Sequence, residues 1–109
     1  MRWYSHLYVG EQAAKKRYAV IQKIRNGTGG QNIYVITPAS NGNNLLDIYS
    51  VGDFSHPYYQ QQDMLILGIA AGYQEALVVA GKIVNDMYQA TGEFSLERFL
   101  KQTDDQRLE

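Results

Sequence analysis

The chain has 109 residues, 45% of them hydrophobic and 19% charged, with a formal net charge of −1 and no cysteine. That length suits one domain with a core of its own, and the missing cysteines exclude disulfides, thiol nucleophiles and thiolate metal sites. No apolar run approaches the roughly 18 residues of a membrane-spanning helix.

The charge is uneven. Residues 1–26 carry Arg2, Lys15, Lys16, Arg17, Lys23 and Arg25 against Glu11, a balance of +5 that leaves −6 for the remainder. The near-neutral total argues against nucleic acid as a partner, because proteins that depend on phosphate contacts are as a rule net positive. The opening MRWYSHLYVG lacks a basic stretch followed by an apolar block, so a cytoplasmic protein is expected. Residues 1–107 are read as a single domain and 108–109 as a cloning remnant.

In chain order, Trp3 to Val9 alternates as a strand, with Trp3, Ser5, Leu7 and Val9 on one side and Tyr4, His6 and Tyr8 on the other. Glu11 to Asn26 reads as one helix whose inward arc is Ala13, Ala14, Val20, Ile21 and Ile24, closed by Asn26-Gly27. Arg17 falls in the middle of that arc, either snorkelling outward or aimed as an anion-binding group at the sheet end. Gln31 to Thr37 gives a second strand, stopped by Pro38. Asn41-Gly42 signals a tight turn, so the third strand, Leu45 to Val51, is expected to fold back antiparallel. Residues 52–62 read as an irregular connection.

Met64 to Leu67 is a continuous apolar run, the pattern of a strand buried on both faces. From Tyr73 the period becomes helical, with Tyr73, Ala76, Leu77, Val79, Ala80, Ile83, Val84, Met87 and Tyr88 on one broad face and Gly92 placed as a left-handed stop. Ser95 is the expected N-cap of a short last helix, with Phe94 stapled onto Phe99.

These elements predict an α/β (α+β) two-layer sandwich: a mixed four-stranded sheet in β-α-β-β-β-α-α order, with both long helices on one face. The crossover helix predicts parallel first and second strands. A strand order 3-2-1-4 follows, which leaves the most apolar strand on an edge unless it sits inside the sheet or a second subunit completes it.

Two helices cover one face only, which predicts an open face displaying Tyr4, His6, Tyr8, Tyr34 and Tyr49. Tyrosine has an apolar body and a polar tip, so the leading functional expectation is association, as a homodimer or an adaptor, through this face. The alternative is a small-molecule or anion-binding protein, or a small enzyme, built on the Gly68–Tyr73 turn with Gly68 and Gly72, on Arg17, and on the 53–62 loop. That turn matches neither GxGxxG nor GxxxxGK[ST].

Catalytic signals are sparse, and a non-enzyme is favoured. His6 and His56 have no metal-ligand spacing with each other, Asp47 or Asp53, so neither metal nor cofactor is expected. Asp47, Asp53 and His56 remain an acid/base alternative around the irregular loop. Finally, YVGE (Tyr8–Glu11), SNGNNLLDIY (Ser40–Tyr49) and GIAAGYQEAL (Gly68–Leu77) together resemble a group of small uncharacterised bacterial single-domain proteins. The resemblance covers most of the chain and implies a bacterial single-domain protein; it brings no activity and no residue role.

Overall fold

A strand with no polar side chain along its length needs cover on both faces and both edges, and Leu65–Ala71 obtains all four. The computed structural model describes residues 2–26, 32–39, 45–52 and 64–108. In chain order these form β1 (Arg2–Val9), α1 (Glu11–Ala14), α2 (Arg17–Asn26), β2 (Ile33–Pro38), β3 (Leu46–Ser50), β4 (Leu65–Ala71), α3 (Tyr73–Thr91) and α4 (Leu96–Leu108). The class is the expected one, a mixed α/β sandwich on a four-stranded mixed sheet.

The strand order is β1-β4-β2-β3 rather than 3-2-1-4. β4 pairs parallel with β1 and antiparallel with β2, and β3 pairs antiparallel with β2 as the turn signal predicts. The first two strands are therefore neither adjacent nor parallel. Burial explains the difference: Ile66, Leu67, Ile69 and Ala70 are all sealed, which an edge position does not allow. Asn41-Gly42 and the 53–62 loop lie outside the described residues.

The helices divide between the two faces instead of sharing one. On the first, Ala13, Val20 and Ile24 pack against Ile33, Val35, Ile66 and Ile69, with Trp3, Leu7 and Val9 at the margin. On the second, Ala76, Val79 and Ile83 pack against Tyr4, Ile36, Leu67 and Ala70, joined by Leu96 and Leu100 of α4. Alternation along β2 sends Val35 to one core and Ile36 to the other. Both faces are apolar, so both need a helical layer.

The first helix is broken. Lys15 and Lys16 donate to Gln12 and Ala13 in i→i+3 bonds of 3.2 and 3.1 Å, a tightened turn between α1 and α2. This turn advances about 120° per residue instead of about 100°, which moves Arg17 off the inward arc, and both Arg17 and Ala14 are exposed. The long α3 runs unbroken to Gly92, whose φ of 73° and N–H bond to the Tyr88 carbonyl (2.8 Å) give the predicted left-handed stop. Ser95 caps α4 weakly, its Oγ 3.4 Å from the Arg98 N–H. Phe94 does not staple onto Phe99; it stacks on Tyr88 at 5.1 Å while Phe99 is buried.

Candidate functional site

Of the tyrosine set expected to stand open, Tyr4 is sealed by the chain's own helices and Tyr8, Tyr34 and Tyr49 are half-buried. Tyr4 is 7% exposed beneath α3 and α4. Tyr8 is half-buried and donates its phenol proton to Asp86 Oδ2 of α3 at 2.7 Å. Burial first, and the Asp86 carboxylate second, raise the Tyr8 pKa far above the ordinary phenol value of 10.0, so it stays a proton donor. Tyr34 makes an edge contact with Tyr73 at 5.7 Å. Tyr49 belongs to the opposite face and donates to Asp47 Oδ2 at 2.9 Å. The open tyrosine face rested on both helices sharing one side, and α3 with α4 occupies the side in question.

The Gly68–Tyr73 turn is likewise in use. Gly68 lies inside β4, where a Cβ would come 2.9 Å from Val79 Cγ1 and 3.3 Å from Tyr8 Cβ, so glycine here serves close packing. Gly72, with φ 98°, donates its N–H to the Asn32 carbonyl at 2.7 Å. The anion at this turn is internal: Glu75 accepts from the N–H groups of Ala71 (2.6 Å), Ala13 (3.2 Å) and Gln12 (2.5 Å). One carboxylate thus ties the start of α1 to the start of α3, in the positive field of helix N-termini. Gly10 leaves room for it, because a Cβ there would collide with the Glu75 carboxylate. The signal was present in sequence, since Glu75 is the third residue after Gly72, the position from which an acid reaches back over a helix start. Its second partner, α1, is not readable without the fold.

Two surfaces remain. The first is the outer stripe of α3. At about 100° per residue, the buried Ala76, Val79, Ile83 and Met87 cover an arc of about 80°. Tyr73, Leu77, Ala80, Val84 and Tyr88 occupy a further arc of about 80° beside it. There Tyr73 is 53%, Leu77 44% and Tyr88 48% exposed, and Phe94, stacked on Tyr88, is 58% exposed. A Cβ at Gly81 would meet nothing within 4 Å. All three charged residues of the helix, Glu75, Lys82 and Asp86, lie on the opposite flank towards β1.

The second surface is a groove of about 520 Å³ between β1 and that charged flank, where His6, Tyr8, Lys82 and Asp86 converge beside Val78 and Val79. Sequence reading missed Lys82 and Asp86, whose i, i+4 spacing on the helix was the available signal. Of the acid/base alternative, Asp47 is bonded to Tyr49 on the far face, while Asp53 and His56 lie outside the described residues. Among the described residues no three His, Asp or Glu side chains are grouped to hold a metal ion, and no helix is long and apolar enough to cross a membrane. No family model, curated protein or solved structure matches the chain.

Proposed function

We propose that the protein works by association with a second copy of itself, and that α3 supplies the face. The observation that carries this reading is the apolar stripe of exposed Tyr73, Leu77 and Tyr88 with half-buried Val84 among them, extended by Phe94 and free of charge. Interface cores are depleted of charged residues and enriched in aromatics, as here. Each ring exposes roughly half of the 150–250 Å² an aromatic side chain can bury, so with Leu77 the stripe offers about 400 Å² of apolar surface. A standard interface takes about 800 Å² from each partner, a little over half of it apolar.

The arrangement is also self-complementary. Gly81 sits near the middle, with Leu77 and Val84 on either side and Tyr73 and Tyr88 beyond. Two antiparallel copies of α3 crossing at Gly81 would set each aromatic end against the other's, as a two-fold axis requires. Small residues at the crossing let the backbones approach. A bacterial, cytoplasmic setting belongs to this reading and rests on the resemblance and the absence of cysteine.

The test is sedimentation velocity from micromolar to submillimolar concentration. A dimer is expected, with Leu77→Glu and Gly81→Arg shifting it to monomer without altering the far-UV spectrum. Tyr18→Ser, at a 78% exposed site on α2, should leave the dimer intact. A wild-type monomer throughout, or a Leu77→Glu dimer of undiminished strength, would overturn the assignment.

A further inference from the structure

β1 does not run straight. Five steps along it, from Trp3 to Tyr8, are matched by only two along β4, from Ile66 to Gly68. Side chains four residues apart on a flat strand stand about 13 Å apart. Tyr4 and Tyr8 instead stack at 6.4 Å with their planes 8° apart, so the strand arches between them. His6 occupies the arch, its ring edge-on to Tyr4 at 5.7 Å. Bulges at sheet edges re-aim side chains, and this one directs the alternating set of β1 at the charged flank of α3.

The product is a mixed lining. His6, Tyr8 and Asp86 border both the 520 Å³ groove and an adjoining hollow of about 290 Å³ that reaches Phe99 and Gln102. The larger space falls in the range of small-ligand sites, which combine an apolar floor with a few polar groups. Asp86 is committed to the Tyr8 phenol. Lys82 and the exposed His6 have no hydrogen-bond or ion-pair partner among the described residues. The groove therefore offers two nitrogen donors beside the apolar side chains of Val78 and Val79. Glu11 and Asp86 add carboxylates to the same lining and disfavour a second negative charge.

We infer that this groove binds a small organic monocarboxylate, with its carboxylate held by His6 and Lys82 and its carbon skeleton laid against Val78 and Val79. A charge-assisted bond to an ammonium orients the acid, and the apolar floor selects for a hydrocarbon body. A bare dianion such as phosphate gains nothing from the valines and meets the two carboxylates.

Titration of the isotopically labelled protein with benzoate, benzyl alcohol and inorganic phosphate, followed by amide chemical shifts, tests this. Benzoate should saturate shifts at Leu7, Val9 and Lys82 and bind about tenfold more tightly than benzyl alcohol, with phosphate leaving those amides in place. Lys82→Gln should weaken benzoate about tenfold and Val78→Asp should abolish its binding; both positions are exposed, and unchanged melting would show that the fold survives. Leu77→Glu, on the other flank, should bind benzoate as the wild type does, which separates this site from the association face. Non-saturating shifts, equal affinity for the alcohol, a preference for phosphate, or an unaffected Lys82→Gln variant would each overturn the inference.

Discussion

The two helical layers of this protein meet the same sheet in different ways. The α1–α2 layer is interrupted at Lys15-Lys16, buries Ala13, Val20 and Ile24, and turns a basic surface outward. The α3 layer is one rod of 19 residues that buries Ala76, Val79, Ile83 and Met87 and still leaves Tyr73, Leu77 and Tyr88 exposed. Both are amphipathic, yet only α3 has an apolar arc about twice as wide as its own sheet covers. Arc width relative to the covered arc, more than amphipathicity itself, separates a helix that completes a core from one with surface left over.

The strongest challenge to that comparison is at the cores. Ile24→Ala and Ile83→Ala each empty a fully buried site, one per layer, and each should cost about 2–5 kcal/mol in equilibrium denaturation. If Ile24→Ala proved nearly neutral, the α1–α2 layer would not be part of the cooperative fold. Next in size is the tie between the layers. Glu75→Ala strands the N–H groups of Ala71, Ala13 and Gln12 and should cost about 1–3 kcal/mol. Gly10→Ala evicts the same carboxylate, so the two losses should not add in a double-mutant cycle; full additivity would mean that Gly10 and Glu75 act separately.

A comparable or smaller penalty, about 1–3 kcal/mol, is expected for Gly68→Ala, whose new methyl presses on Val79. Val79→Ala should relieve part of it, and no relief would place the clash elsewhere. Smaller still, Leu77→Ser and Tyr18→Ser should each alter monomer stability by less than about 0.5 kcal/mol. Only Leu77→Ser should flatten the concentration dependence of melting, because dimerisation stabilises by mass action.

The smallest effect is at alkaline pH. Unfolded Tyr8 ionises at the ordinary phenol value of 10.0, while the folded group keeps its proton to a higher pH. Its stabilisation is therefore complete below about pH 10 and declines above it, as the unfolded chain releases a proton that the folded one retains. Tyr8→Phe should lessen that alkaline slope in denaturation midpoints; identical slopes would remove the Tyr8–Asp86 bond from the account.

Local pattern alone specified the strands, the span of α3, the left-handed stop at Gly92 and the antiparallel third strand, because period, turn chemistry and caps act over a few residues. It also marked Met64–Leu67 as the most apolar strand, but read as a turn the residues Gly68 to Ala71 that continue it in the sheet. Sheet order and the side each helix takes depend on contacts between residues far apart in the chain, and alternation along a strand is silent on which side a helix will choose. Those choices placed β4 between β1 and β2, sealed Tyr4 under α3, brought Glu75 to the start of α1, and set His6 opposite Lys82 and Asp86. An apolar stripe can be read from helical spacing; whether it is covered is decided only when the two cores have been filled.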